Sequence, residues 1–106
     1  MKFRKLYWVT EQLAENGQSS VVGVFTSMQD LRTKGLKWNE ECDHASGFRV
    51  SLVKLDHTGM PLGDWSAPGF DGIESDLAEF VETGEMDEQS VIQLAADLRA
   101  MATAKA

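Results

Sequence analysis

Residues Val21–Gly35 read VVGVFTSMQDLRTKG, and the order of residue types in this stretch sets the architecture. Val21, Val22, Val24 and Phe25 are β-branched or aromatic and suit a pleated strand. Thr26 or Ser27 then offers a side-chain oxygen to the free N–H groups of a new helix, with Gln29 or Asp30 three residues on as its capping partner. Met28 and Leu31 share one helical face. Gly35 stands where a helix would end in the left-handed conformation that glycine adopts without penalty, and Lys34 before it suits the negative end of the helix dipole. A helix of about two turns needs packing to persist. The stretch is a strand feeding directly into a short helix.

Upstream, FRKLYWVTEQL (residues 3–13) is strand-like, and Asn16–Gly17 is a type I′ hairpin signal. A two-residue turn there pairs Glu15 with Gln18 and sets Val9 opposite Val24 and Trp8 opposite Phe25. One hairpin face then carries Tyr7, Val9, Leu13, Val22 and Val24, and the other Leu6, Trp8, Val21 and Phe25. Both faces are apolar, so either helices cover both or one face meets a partner chain. Gly23 in mid-strand marks a bulge or a close approach.

Downstream, Leu36–Gly47 is long for a connection and reads as a candidate functional loop. In residues 48–56, FRVSLVKLD, Phe48, Val50 and Leu52 alternate with polar residues, which predicts a half-buried strand. The DHTG turn (residues 56–59) leads to MPLGDW, whose Pro61 suits an edge strand. Asp71 and Glu74 have capping-box spacing, and Ile73, Leu77, Phe80 and Val81 form a helical stripe that Gly84 stops. Asp87 caps a second helix, Met86 and Val91 form a staple, and Val91, Leu94, Ala95, Leu98, Met101 and Ala102 make its stripe. The order β-β-α-β-β-α-α predicts an α+β fold: a four-stranded, mainly antiparallel sheet packed against a C-terminal antiparallel helical hairpin. At 106 residues, one domain is expected.

The charge is uneven. Residues 1–39 hold six Lys/Arg and three Asp/Glu, while residues 40–106 hold four and fourteen, and the whole chain carries −7. Such acidity excludes a broad phosphate-contacting surface, so nucleic acid is not an expected partner. The asymmetry suits self-association or a basic protein partner. No apolar run is long enough to span a membrane, and the N-terminus lacks a signal-peptide pattern. The single cysteine, Cys42, forms no intrachain disulfide and fits a reducing cytoplasm.

No catalytic residue is assigned, because no GxGxxG, P-loop, GxSxG or HExxH is present. The NEECDH cluster (residues 39–44) places Cys42 and His44 two apart, but a zinc site needs four well-spaced ligands. The only other histidine, His57, follows an extended strand about 30 Å long, whereas the three residues after His44 reach back only about 10 Å. Glu40, Glu41 and Asp43 would raise the thiol pKa of Cys42 and oppose a nucleophilic role. Neither metal nor cofactor is expected. The carboxylates between Asp71 and Glu88 follow the polar side of a helix and its turn, the pattern of a solvated face.

The remaining signal is aromatic and apolar. Trp38 and Trp65 stand at segment edges, as lids over the core or as interface anchors. The expectation is a non-enzymatic interaction module, a homodimer built on the first hairpin, with Leu6, Trp8, Val21, Phe25, Trp38 and Trp65 as its contacts. In this scheme the Tyr7–Val9 face packs on the helices and the Trp8 face meets the partner; the competing explanation is that the short first helix covers the Trp8 face through Met28 and Leu31. The alternatives are a small-ligand binder or enzyme using the Trp38–Gly47 loop with Trp65, and a metal-binding accessory protein.

Overall fold

The computed structural model describes residues 5–13, 18–38, 47–55, 59–66, 70 and 72–105, with side chains as far as Met101. The Asn16–Gly17 turn, the 39–44 cluster, His57 and Asp71 lie outside the described residues.

Four strands, β1 (Leu6–Leu13), β2 (Ser19–Phe25), β3 (Gly47–Lys54) and β4 (Gly63–Ser66), form an antiparallel sheet in the order β2-β1-β3-β4. Both β2 and β3 run antiparallel to β1, so they are parallel to each other, and the helix between them carries the chain across β1. That helix is α1 (Met28–Asp30) continued by a π-helical segment (Leu31–Leu36), with Lys37 and Trp38 still helical. The C-terminal part holds α2 (Ile73–Asp76), α3 (Ala78–Glu82) and α4 (Glu88–Lys105). The α+β class and the order of the strands agree with the sequence reading; the single helix expected before Gly84 is instead two short ones, α2 and α3, divided at Leu77.

The alternation of β3 decides which face is inside. Phe48, Val50 and Leu52 are all buried. The β1–β3 register sets Trp8 against Leu52 and Thr10 against Val50. In β4, Trp65 faces Val50, and its ring lies 6.4 Å from that of Trp8. Trp8, Phe48, Val50, Leu52 and Trp65 share one cluster with Leu31, Leu36, Ile73, Leu77, Phe80, Leu94 and Leu98, so the helical elements pack on this one sheet face. The expected orientation of the hairpin is therefore reversed. Trp8 is 3% exposed, and Leu6 and Phe25 pack against the core, while the Tyr7–Val9 face points away from the helices. The hairpin alone could not discriminate between two apolar faces; β3, with one apolar face, did so through its register.

The predicted register holds at Trp8–Phe25 and Val9–Val24. It slips by one residue beyond Thr10–Gly23, so that Glu11 faces Val21 and Val22 is the extra residue of a β-bulge. A two-residue turn would have set Leu13 opposite Ser20, yet Leu13 pairs with Ser19. The irregularity anticipated at Gly23 is thus a bulge beside it.

Ser27 caps α1, its Oγ accepting from Asp30 N at 3.1 Å. Gly35 does not end the helix: it is buried, lies within the π segment and has no positive φ. Leu31 and Leu36 are both buried, five residues apart. In an α-helix they would be rotated by roughly 140° from each other; i→i+5 bonding brings them to one side.

Asp71, one half of the expected capping box, lies outside the described residues. Gly72, at φ +86°, precedes α2, and the Glu74 carboxylate pairs with Arg99 of α4. The apolar stripe is as read: Ile73, Leu77 and Phe80 are buried and Val81 packs against them. Gly84 ends α3 at φ +80°, with Met86 N donating to Phe80 O at 3.0 Å. Asp87 Oδ2 accepts from Ser90 N at 3.0 Å, and Met86 and Val91 of the staple are buried.

Candidate interaction surface

Opposite the helices, the sheet presents a face assembled from all four strands. Tyr7, Val9, Glu11 and Leu13 of β1 alternate with the core residues Trp8 and Thr10. Their cross-strand partners add Val24 and Val21 from β2 and Val53, Ser51 and Arg49 from β3. Val21 and Val24 are 61% and 57% exposed. Tyr7, Val9, Leu13 and Val53 are half-buried.

The charges of this face are held among themselves. The Arg49 guanidinium lies 3.8 Å from Glu11 Oε2 and 3.6 Å from Asp64 Oδ1, and its Nε donates to Ser66 Oγ at 3.4 Å. One row across three strands is therefore a closed polar set, flanked by valines and Tyr7. Strand order alone created it, since Glu11, Arg49 and Asp64 are remote in sequence.

The residues singled out from sequence are divided. Trp8 and Trp65 come together, but inside the core. Trp65 is 5% exposed, and its Nε1 donates to Asp76 Oδ2 at 2.8 Å, so it offers no surface for a ligand and acts as a core lid. Leu6 and Phe25 pack at the core margin. Val21 is on the open face, and Trp38, 45% exposed, stands at the end of the first helix. Tyr7, Val9 and Val24 are absent from the expected contacts; their signal is the other apolar hairpin face, with the faces interchanged, whereas Val53 of β3 joins them only through strand pairing with Tyr7.

Two clefts among the described residues lie elsewhere. One of about 760 Å³ separates the π segment from α4, between Leu36, Lys37, Ala100 and Met101. Its best-placed charge is already engaged, because Arg32 Nε donates to Asp97 Oδ2 at 2.6 Å, and Gln93 Nε2 donates to Asp97 Oδ1 at 2.9 Å. The other, about 240 Å³, lies between Leu6, Trp8, Met28 and Met86. At its rim, Ser27 Oγ caps α1 and Glu85 accepts from Thr83 Oγ1. Neither cleft converges an acid, a base and a nucleophile. Among the described residues, no three of His, Cys, Asp and Glu gather as a metal site, and no helix is long and apolar enough to cross a membrane.

At the far end of the helical hairpin, the Arg99 guanidinium holds the Glu74 carboxyl below its usual range, chiefly through its hydrogen bonds. Comparison with protein-family models, with curated proteins and with solved structures finds no match to this chain.

Proposed function

We propose that this protein is a non-enzymatic interaction domain that receives a protein partner on the sheet face opposite its helices. The observation that carries this reading is the exposure of Val21 and Val24, 61% and 57%, beside Tyr7, Val9 and Val53 on a face where, among the described residues, no helix packs. Burying such side chains is worth roughly 1.5–3 kcal/mol each, and a contiguous apolar patch on a folded chain marks an interaction site. The Glu11–Arg49–Asp64 row supports the reading, since charges already paired cost less to cover than free ones. This surface replaces the Trp8 face as the site of contact. A cytoplasmic setting belongs to the reading and rests on the lone cysteine.

The test is site-specific photo-crosslinking in the cells that make the protein. A benzophenone side chain placed at Tyr7 or Val24 is expected to give discrete protein adducts. The same group at Gln89 or Ala96, on the exposed side of α4, is expected to give none. Equal, diffuse labelling from all four positions overturns the reading.

A further inference from the structure

We infer that the partner is a second copy of this chain, joined through the free edge of β2 in an antiparallel, two-fold pairing that sets Val21 of each copy opposite Val24 of the other. This deepens the interaction reading above and rests on it.

Among the described residues the edge is open: β2 is the terminal strand of the sheet and pairs with β1 alone. Edge strands are commonly guarded by charge or proline. β2, SSVVGVF, has neither, and the uncharged run extends over fourteen residues from Asn16 to Gln29 in a chain with 27 charged residues, ten Lys/Arg and seventeen Asp/Glu. In a two-fold pairing, a charged residue meets charges of its own strand, and like charges directly opposite destabilise. A chain of net charge −7 associates with itself most readily where it carries no charge at all.

The bulge selects the partner. Val24 faces Val9 and Val21 faces Glu11, so the two valines lie on the same outward face although they are three residues apart rather than two. An ordinary strand repeats every second residue; matched to Val24, it is out of phase at Val21. This is how a bulge protects an edge from chance pairing. A second β2 has the same three-residue step. With the two-fold axis between Val22 and Gly23, Val21 meets Val24 and Val24 meets Val21, and the two bulges lie against each other. Val9 and Glu11 are alternate positions on β1, so Val24 and Val21 turn their backbone groups to the same side, as matched antiparallel pairs require. The product is a continuous eight-stranded sheet, and two valines from each copy close over the seam.

Sedimentation equilibrium of the full chain and three variants tests this. The wild type is expected to dimerise at about 100 µM, an affinity typical of a modest interface. Val21→Lys and Val24→Glu each disturb both symmetric pairs, while within one chain they face Glu11 and Val9 and meet no like charge, and each is expected to weaken the dimer about tenfold or more. The double variant Val21→Lys with Val24→Glu sets an ammonium against a carboxylate at both pairs and is expected to regain most of the loss. Circular dichroism should stay native in all three, because both positions are exposed in the single chain. A wild type that stays monomeric, or a dimer indifferent to the single changes, or a double variant as weak as either single one, overturns the inference. Crosslinks from Val24 to a different protein, with a monomeric wild type, overturn it while leaving the interaction domain standing.

Discussion

The ring of Phe25 rests on the backbone of Gly35, so closely that a Cβ on Gly35 would lie 2.7 Å from Phe25 Cε2. Gly23 approaches the same ring edge from the sheet side, where an added Cβ would again lie 2.7 Å away. The ring edge is thus confined between strand and helix. Replacing Gly35 by Ala gains about 1 kcal/mol of helix propensity but incurs overpacking of about 1–3 kcal/mol. A net loss of about 1 kcal/mol is expected in urea denaturation. Combining Gly35→Ala with Phe25→Leu should recover part of it, because the two residues are in contact. Gly35→Ala that stabilises the protein would mean the ring moves aside freely.

Trp8 tests the orientation of the sheet. It is 3% exposed, and its ring lies 6.4 Å from that of Trp65 at a tilt of 34°. Trp8→Ser should cost about 3–5 kcal/mol, the range for emptying a large aromatic site, and lower the helical circular dichroism at moderate temperature. A variant that keeps native stability and changes only its association would restore the Trp8 face as the interface.

Glu74 and Arg99 give a pH dependence. Arg99 Nη1 donates to Glu74 Oε2 at 3.1 Å, and Nη2 also donates to Oε1. These bonds, aided by a backbone hydrogen bond and opposed by partial burial, hold the folded-state pKa of Glu74 below its unfolded value. The pair's contribution is therefore complete above about pH 4.3, the unfolded value, and is lost as pH falls through the lower folded value. The side chains are 41% and 40% exposed, so solvent screening limits the contribution to about 0.5–1 kcal/mol. Denaturation midpoints of wild type and Glu74→Gln should differ near neutrality and converge in acid. A gap that widens on acidification contradicts the assignment.

Local patterns were legible in the chain because they depend on neighbours in sequence. The alternation of Phe48, Val50 and Leu52, the stripe from Ile73 to Phe80, the stop at Gly84 and the Asp87 cap all stand where residue spacing set them. The β1–β2 register at Trp8–Phe25 was legible too, since a hairpin is a local object.

Three things required the folded molecule. Only the pairing of β1 with β3 chose Trp8 over Val9 for the core, because two apolar faces of one hairpin are equivalent until a third strand fixes one of them. Only the packing of Phe25 made Gly35 an internal contact instead of a terminator, since a glycine's spacing does not tell whether its freedom or its smallness is in use. The open surface itself, valines around the Glu11–Arg49–Asp64 row, joins residues from four strands, and no local spacing encodes which strands lie side by side. Sequence determined most of the elements and those ends that a turn or a cap fixes locally, such as Gly84 and Asp87; the order of the strands, a long-range choice, decided what is buried and what is offered to a partner.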